Sequence, residues 1–288
     1  MSTKTPFYRL VAARHGRFFV NPNDTYIGQS LQAYGEWSEP EIHLFDQFVR
    51  PGDAVLEAGA NIGSHTLWFS RRVGDAGVVH AFEPARHTFQ LLCANLVAND
   101  CLNVRAMQQA LGAASGQLAF PLLDPRMTWN FGGASAKTPW GGSTETVDLR
   151  SVDSLSLERL DLLKADVEGF ETEVLQGALC TLERCRPAVY VEINTHEVRD
   201  AAVRLLESLD YACWYYITPM FSASNWLGRG DDIFNDYSFD LLCLPSERFD
   251  VDGMSRAGVN DGVVRYTPTQ RIWGTFRWDQ ARVTRRVG

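Results

Sequence analysis

Glu57, Gly59, Asn61 and Gly63 stand in VLEAGANIG, where an apolar run passes straight into a glycine-spaced turn. Glycine lets a backbone approach a ligand closely, and a helix starting near Ile62 would aim its first amides at the same place. A strand-to-helix turn also uses glycine for geometry alone, so the turn by itself names no ligand. Glu83 narrows the reading, because it follows Gly63 by 20 residues, where a carboxylate can accept both hydroxyls of an adenosine ribose. A pyrophosphate needs a second glycine hugging the phosphate, and that position holds Asn61. Glu57 would repel phosphate and help hold a cationic methionine end, directly or through water. The set favours S-adenosylmethionine over a dinucleotide.

Two later clusters supply acids and bases. DVEG brings Asp166 and Glu168, and VEINTHE brings Glu192, Asn194 and His196. Methyl transfer to a hydroxyl needs in-line approach and a destination for the hydroxyl proton. In one arrangement Asp166 or His196 is the general base and the other groups bind acceptor hydroxyls. In another, Asp166, Glu192 and Asn194 hold a divalent cation such as magnesium that acidifies the acceptor. The plainer alternative is that Asp166 only positions the cofactor, Glu168 caps the next helix and His196 is a solvated helix-start residue. Lys164 falls within a strand, its charge paired.

For these residues to meet, they must lie at the ends of neighbouring elements. Short apolar runs predict strands over 54–58, 78–83, 103–111, 161–169, 188–193, 211–217 and 238–244. Between them, helices are predicted over 62–74, over ARHTFQLLCANLVAND with Phe89, Leu92, Cys93 and Leu96 on one face, over 171–185 and over 198–209. Strands alternating with helices make βαβ units and a mostly parallel sheet, whose ligands sit at the carboxyl ends of the strands. Residues 112–150 interrupt the rhythm with two Gly-Gly pairs and with Trp129, Asn130, Phe131 and Trp140, which predicts an irregular insertion. That insertion and the loop over 220–238 would overhang the same sheet edge, either stacking on an acceptor or packing as a lid. Residues 1–50 predict a hairpin and a helix, with Ser38 as N-cap and Glu41 as its capping-box partner. The main domain is placed at 51–248, with 1–50 as a cap and 249–288 as an extension.

The 288 residues are 45% hydrophobic, enough for a full core, and contain no apolar run of the roughly 18 residues that a membrane helix needs. No secretory leader is evident, so a cytoplasmic protein without a membrane span is expected. Six scattered cysteines, none in CxxC, predict neither a disulfide framework nor a zinc site. A formal net charge of −8 argues against nucleic acid as a partner. From Arg265 to Gly288, six arginines face one acid, Asp279, interleaved with Tyr266, Trp273, Phe276 and Trp278. This tail reads as a packed, solvated extension or as a grip on an anionic substrate or partner.

VLEAGANIGSHTLWFSRRVG, VVHAFEPARHTFQLLCANL, SVDSL and LLKADVEGFETEVLQGA together resemble the FkbM-like S-adenosylmethionine-dependent methyltransferases over roughly residues 20–245. DVEG following GANIG and FEP in this order is far more specific than any one of them. The resemblance implies a class I methyltransferase fold: a Rossmann-like, seven-stranded, mostly parallel sheet with helices on both faces and a reversed last strand. It implies methyl transfer to a hydroxyl of a sugar, glycan or natural-product scaffold, with a small-molecule or glycan acceptor; a homodimer is compatible with it. By position, Glu57, Gly59, Asn61, Gly63, Thr66 and Asp166 would border the cofactor, Glu83 would hold its ribose, and Pro84 would shape the adenine slot. Tyr34 and Glu36 would close over the methionine end. The chain departs from the pattern in Glu57, where many relatives carry Asp, and in its basic aromatic extension. The alternatives are a nicotinamide-dependent oxidoreductase and a non-catalytic scaffold of the same fold.

Overall fold

In β3 (Ala54–Ala58), AVLEA buries all five residues, so this strand must be covered on both faces. A computed structural model, which describes residues 7–137, 140–261 and 278–286, places it at the centre of a seven-stranded sheet. Its parallel neighbours are β4 (Val78–Phe82) on one side and β9 (Leu162–Ala165) on the other. Outward lie β5 (Val104–Met107) beyond β4, and β10 (Ala188–Glu192) beyond β9. The sheet closes with β12 (Tyr237–Pro245), antiparallel to β10, and with β11 (Tyr211–Pro219) at the edge. Numbered by their place in the chain, the strands run 6-7-5-4-1-2-3 with the seventh reversed, as the resemblance implies.

Alternate residues of each strand feed two cores. Leu56, Leu163, Val189 and Val191 pack beneath α5 (Glu171–Gln176), α6 (Leu179–Cys185) and α7 (His196–Glu207). Val55, Leu162, Tyr190 and Leu242 pack on the opposite face against α2 (Glu39–Phe48) and α3 (Thr66–Val73). The hairpin of β1 (Arg9–Ala13) and β2 (Gly16–Val20), with α1 (Ile27–Ala33), packs on α4 (Arg86–Ala98). Fully buried Asn95 fastens it, exchanging hydrogen bonds with Phe19 N and O and donating to Ile62 O at 2.8 Å.

Several predicted elements are revised. The strand over 103–111 divides, its second part, β6 (Gln109–Leu111), joining a separate sheet. There β6 runs parallel to β8 (Thr144–Arg150), which pairs antiparallel with β7 (Gly116–Pro121), so the ends of the insertion are regular where the glycines suggested a loop. The helix over 171–185 breaks at Gly177, where a Cβ would stand 2.1 Å from Gly112 O. The helix expected from residue 62 begins at Thr66, and the N-terminal segment holds two helices rather than one. Ser38 precedes α2 in the left-handed region (φ 47°) and makes no side-chain bond to the helix backbone; its hydroxyl donates to the Glu41 carboxylate, replacing the capping box.

All six cysteines are free thiols, and no helix among the described residues is long and apolar enough to cross a membrane. Part of the basic tail, including Arg265, Tyr266, Arg271, Trp273, Phe276 and Arg277, lies outside the described residues. The remainder returns to the body: β14 (Arg282–Arg285) pairs with β13 (Phe249–Asp252), burying Ala281 and Val283. Arg285 bonds Asp53 at 2.8 Å and Asp161 at 3.0 Å, two buried acids just before β3 and β9, at the sheet end opposite the site. Arg159 also pairs with both acids. Replacing Arg285 with alanine should therefore lower unfolding free energy in urea by about 1–3 kcal/mol, less than for a buried acid left wholly alone; an unchanged midpoint would contradict this.

Candidate active site

The carboxyl ends of β3, β4, β9 and β10 open into a cavity of ≈580 Å3. Gly59 follows β3 at φ 83°, and a Cβ there would stand 1.8 Å from Asp166 O, so only glycine allows the first turn to close on the end of β9. Asn61 sits in the left-handed region that asparagine tolerates (φ 50°), and its N–H donates to Glu83 Oε2 at 3.0 Å. Ala85 N–H donates to Glu83 Oε1 at 2.8 Å. Glu83 thus ties two turns together while lining the cavity beside Pro84. Beyond Pro84, Ala110, Leu111, Leu118 and Phe120 form an apolar slot of a kind that suits a flat base.

Across the cavity, Asp166, Glu168 and Glu192 bring carboxylate oxygens within 4.8 Å of one another, an arrangement able to hold a metal ion. Asn194 Nδ2 joins two of them, donating to Glu192 Oε2 at 2.7 Å and to Glu168 Oε2 at 3.3 Å. Glu168 does not cap α5. No side chain caps that helix; Glu171, its first residue, accepts from Val167 N and Gly169 N at 3.0 Å and so braces the turn before it, while Glu168 stands on the cavity wall. His196 is not brought to the site: it is exposed at the first turn of α7, while Asn194 and Thr195 line the cavity.

Five other positions differ from the expectation. Glu57 and Thr66 are completely buried below the turn, Thr66 Oγ1 donating to Glu57 Oε2 at 2.6 Å, and neither lines the cavity. Glu57 Oε1 has no hydrogen-bond partner among the described residues. Gly63 also lies off the cavity, where a Cβ would meet Leu92 of α4 at 2.8 Å, so its smallness serves helix packing. Tyr34 and Glu36 do not line the cavity; they fasten the loop that follows β11. Tyr34 Oη donates to Asp231 O at 3.0 Å and accepts from Ile233 N at 2.7 Å. Glu36 takes Arg14 Nε at 2.8 Å and Trp226 N at 2.9 Å.

The N-terminal groups that do reach the cavity are Tyr26, Ile27, Trp37, Ser38 and Glu41. Glu41 had a sequence signal, an acid three residues after a serine, which points equally to a capping box. Phe131 and Gly132 of the insertion line the cavity, whereas Trp129 is 41% exposed and packs on Trp140. Asp236 and Ser238 contribute from the loop and from β12.

Lys164 organises the charges from below. It is 1% exposed, and its Nζ lies 2.8 Å from Asp166 Oδ2. Burial alone would lower its pKa, but the Asp166, Glu41 and Glu57 carboxylates outweigh burial and raise it, holding the ammonium protonated. Burial pushes Glu41, Glu57 and Glu83 up to about 7. Glu192 is held well above the carboxylate range by burial and then by Glu168 and Asp166.

The family model described as the methyltransferase FkbM domain matches residues 57–213. Methyltransferase sdnD of Sordaria araneosa is 33% identical over 167 residues, 47% of this chain and 64% of its own length. Hexuronic acid methyltransferase AglP of Haloferax volcanii is 29% identical over 154 residues, 53% of this chain and 61% of its own length. In both pairs the match spans less than two thirds of the relative. Among solved structures, a methyltransferase FkbM from Methylobacillus flagellatus has a TM-score of 0.42 at 18% identity, covering 76% of this chain and 55% of that one.

Two measurements test this geometry. The folded pKa of Glu57, about 7, lies above its ordinary 4.5, so the native state binds more protons and this group's contribution to stability falls as pH rises through that window. Glu57→Gln keeps an acceptor for Thr66 and should gain stability over the wild type between about pH 5 and pH 8, on the order of 2 kcal/mol in urea. Parallel pH curves would refute the assignment. Tyr34→Phe removes both side-chain bonds to the loop and should speed amide exchange at Ile233 by about ten-fold, with the global melt shifted by only a few degrees.

Proposed function

Because the chain belongs to the FkbM-domain methyltransferase family, we propose that it transfers a methyl group from S-adenosylmethionine to a hydroxyl of a sugar, glycan or natural-product scaffold. The observation that carries the cofactor reading is Glu83, a cavity carboxylate held by Asn61 N–H and Ala85 N–H beside an apolar slot. Each of its oxygens keeps acceptor capacity for a ribose hydroxyl. Pro84, Leu111 and Phe120 would enclose the adenine, and Gly59 leaves its backbone accessible to the donor. When bound, the sulfonium supplies an electrophilic methyl group.

The acceptor half of the cavity is read as the wall formed by Asp166, Glu168, Glu192, Asn194 and Asp236. Asn194 orients the Glu168 and Glu192 carboxyls, and Glu192, whose proton is held more tightly than an ordinary carboxyl's by burial and then by Glu168, can donate to an acceptor oxygen when protonated. Asp166 faces the cavity with a side chain 40% exposed and receives the hydroxyl proton, with Lys164 offsetting its charge. The cavity lining contains no Lys, Arg or His among the described residues, which favours a neutral or cationic acceptor over an anionic one. A second reading rests on the 4.8 Å grouping of the three carboxylates: there a divalent cation would lower the acceptor's pKa.

Calorimetry should show binding of S-adenosylhomocysteine and none of NADH, and Glu83→Ala should weaken that binding by about ten-fold or more. No heat with S-adenosylhomocysteine would sink the cofactor reading. With an acceptor in hand, Asp166→Asn should reduce kcat by about a hundred-fold or more, whereas His196→Ala should leave it unchanged. Activity lost in EDTA and restored by magnesium selects the cation route; activity indifferent to EDTA selects the direct one.

A further inference from the structure

One buried carboxyl on the cavity wall has no part in methyl transfer as described above. Glu41, in the first turn of α2, is 5% exposed yet lines the cavity with Trp37, Ser38 and Ser238. Ser38 Oγ donates to its Oε1, and its Oε2 lies 3.7 Å from His65 Nε2, a buried nitrogen with no hydrogen-bond partner among the described residues. His65 is held neutral by burial and by Lys164, so it offers Glu41 no counter-charge.

The other cavity carboxyls are committed. Glu83 spans two backbone amides, Asp166 is paired with Lys164, Glu168 and Glu192 are joined through Asn194, and Asp236 accepts from Tyr26 Oη at 3.2 Å and Tyr237 N at 2.8 Å. Glu57, which the sequence suggested for the cationic end of the donor, is sealed below the floor. If the ribose sits at Glu83 with the base in the slot past Pro84, the amino-acid end must extend the other way, past Gly59 and Asp166. Glu41 stands on that side, close enough to Lys164 and Asp166 to feel both charges. An ammonium leaving water for such a wall needs an anionic partner there.

We infer that Glu41 is the binding residue for the ammonium group of the donor's amino-acid end, a role resting on the S-adenosylmethionine reading above. Glu41 lies outside residues 57–213, so this contact is supplied by the N-terminal segment rather than by the matched domain.

Calorimetry with S-adenosylmethionine, S-adenosylhomocysteine and 5′-methylthioadenosine, which lacks the amino-acid end, tests the inference on the full chain. Glu41→Gln should weaken the first two by about ten-fold or more and change the third by less than about two-fold. Wild-type affinity of the variant for S-adenosylmethionine would overturn the role while leaving the cofactor reading intact. Equal weakening of all three would reveal a merely structural residue, and weakening of S-adenosylmethionine alone would move the pairing to the sulfonium; both overturn it. Failure of the wild type to bind any of the three would instead remove the cofactor reading itself. If Glu41→Gln does not fold, Glu41→Asp should show the same selectivity with smaller losses, and equal losses on all three ligands would again overturn the role.

Discussion

A single buried ammonium governs the site. Lys164 lies under the floor of the cavity with Asp166 at 2.8 Å, and Glu41 and Glu57 are close enough to raise its pKa. One positive charge among three carboxyls cannot neutralise them all, and burial makes each uncompensated negative charge expensive. Glu41 and Glu57 therefore titrate near neutrality, whereas Asp166 has the ion pair to itself. A cationic ligand entering above this layer meets an environment short of positive charge. The proposed sulfonium donor, suggested in the sequence by Glu57 and Asn61, is compatible with that interior, though Glu57 acts from below the floor and not at the cavity wall.

The rest of the cavity is arranged around that floor by close backbone approaches. Gly59 rests on Asp166 O, fixing the spacing between the first turn and the end of β9. Glu83 gathers the amides of Asn61 and Ala85, so the turns after β3 and β4 are held in relation to each other by the protein's own hydrogen bonds. Such preorganisation reduces the ordering cost that a ligand must overcome. Gly177 has a similar role at a distance: its contact with Gly112 breaks the helix after β9 and seats the small sheet whose Leu118 and Phe120 wall the apolar slot.

Much of the sheet was legible in the sequence because each strand is a short apolar run bounded by turn residues, and buried parallel strands leave that pattern. Gly59, Asn61 and Glu83 were legible for the same reason, since their spacing follows from a strand, a turn and a strand in fixed order. What escaped depends on long-range packing. Glu57, Thr66 and Gly63 sit in the right motif but point into the interior, a difference of side-chain direction that spacing does not encode. Tyr34 and Glu36 lie near the cavity in the chain yet turn to a loop about 190 residues away. Glu41 was visible only as a capping partner, because the left-handed backbone at Ser38 that redirects it leaves no compositional mark. His196 was drawn toward the site by its chemistry, and one turn of α7 carries it outside.

The fastening of the loop after β11 has an evolutionary consequence. Arg14, Glu36 and Tyr34 grip it through Ser224 O, Trp226 N, Asp231 O and Ile233 N, and Leu227 N reaches Tyr34 O. Every one of these hydrogen bonds is to the loop's main chain. Apart from Phe221, Phe234 and Asp236, whose side chains also meet Tyr34, Tyr26 and Trp37, side chains along that stretch can therefore be exchanged by mutation without removing these bonds, provided the backbone path is kept. A cover secured in this way leaves descendants free to vary the surface it presents while the turns beneath it stay under separate selection.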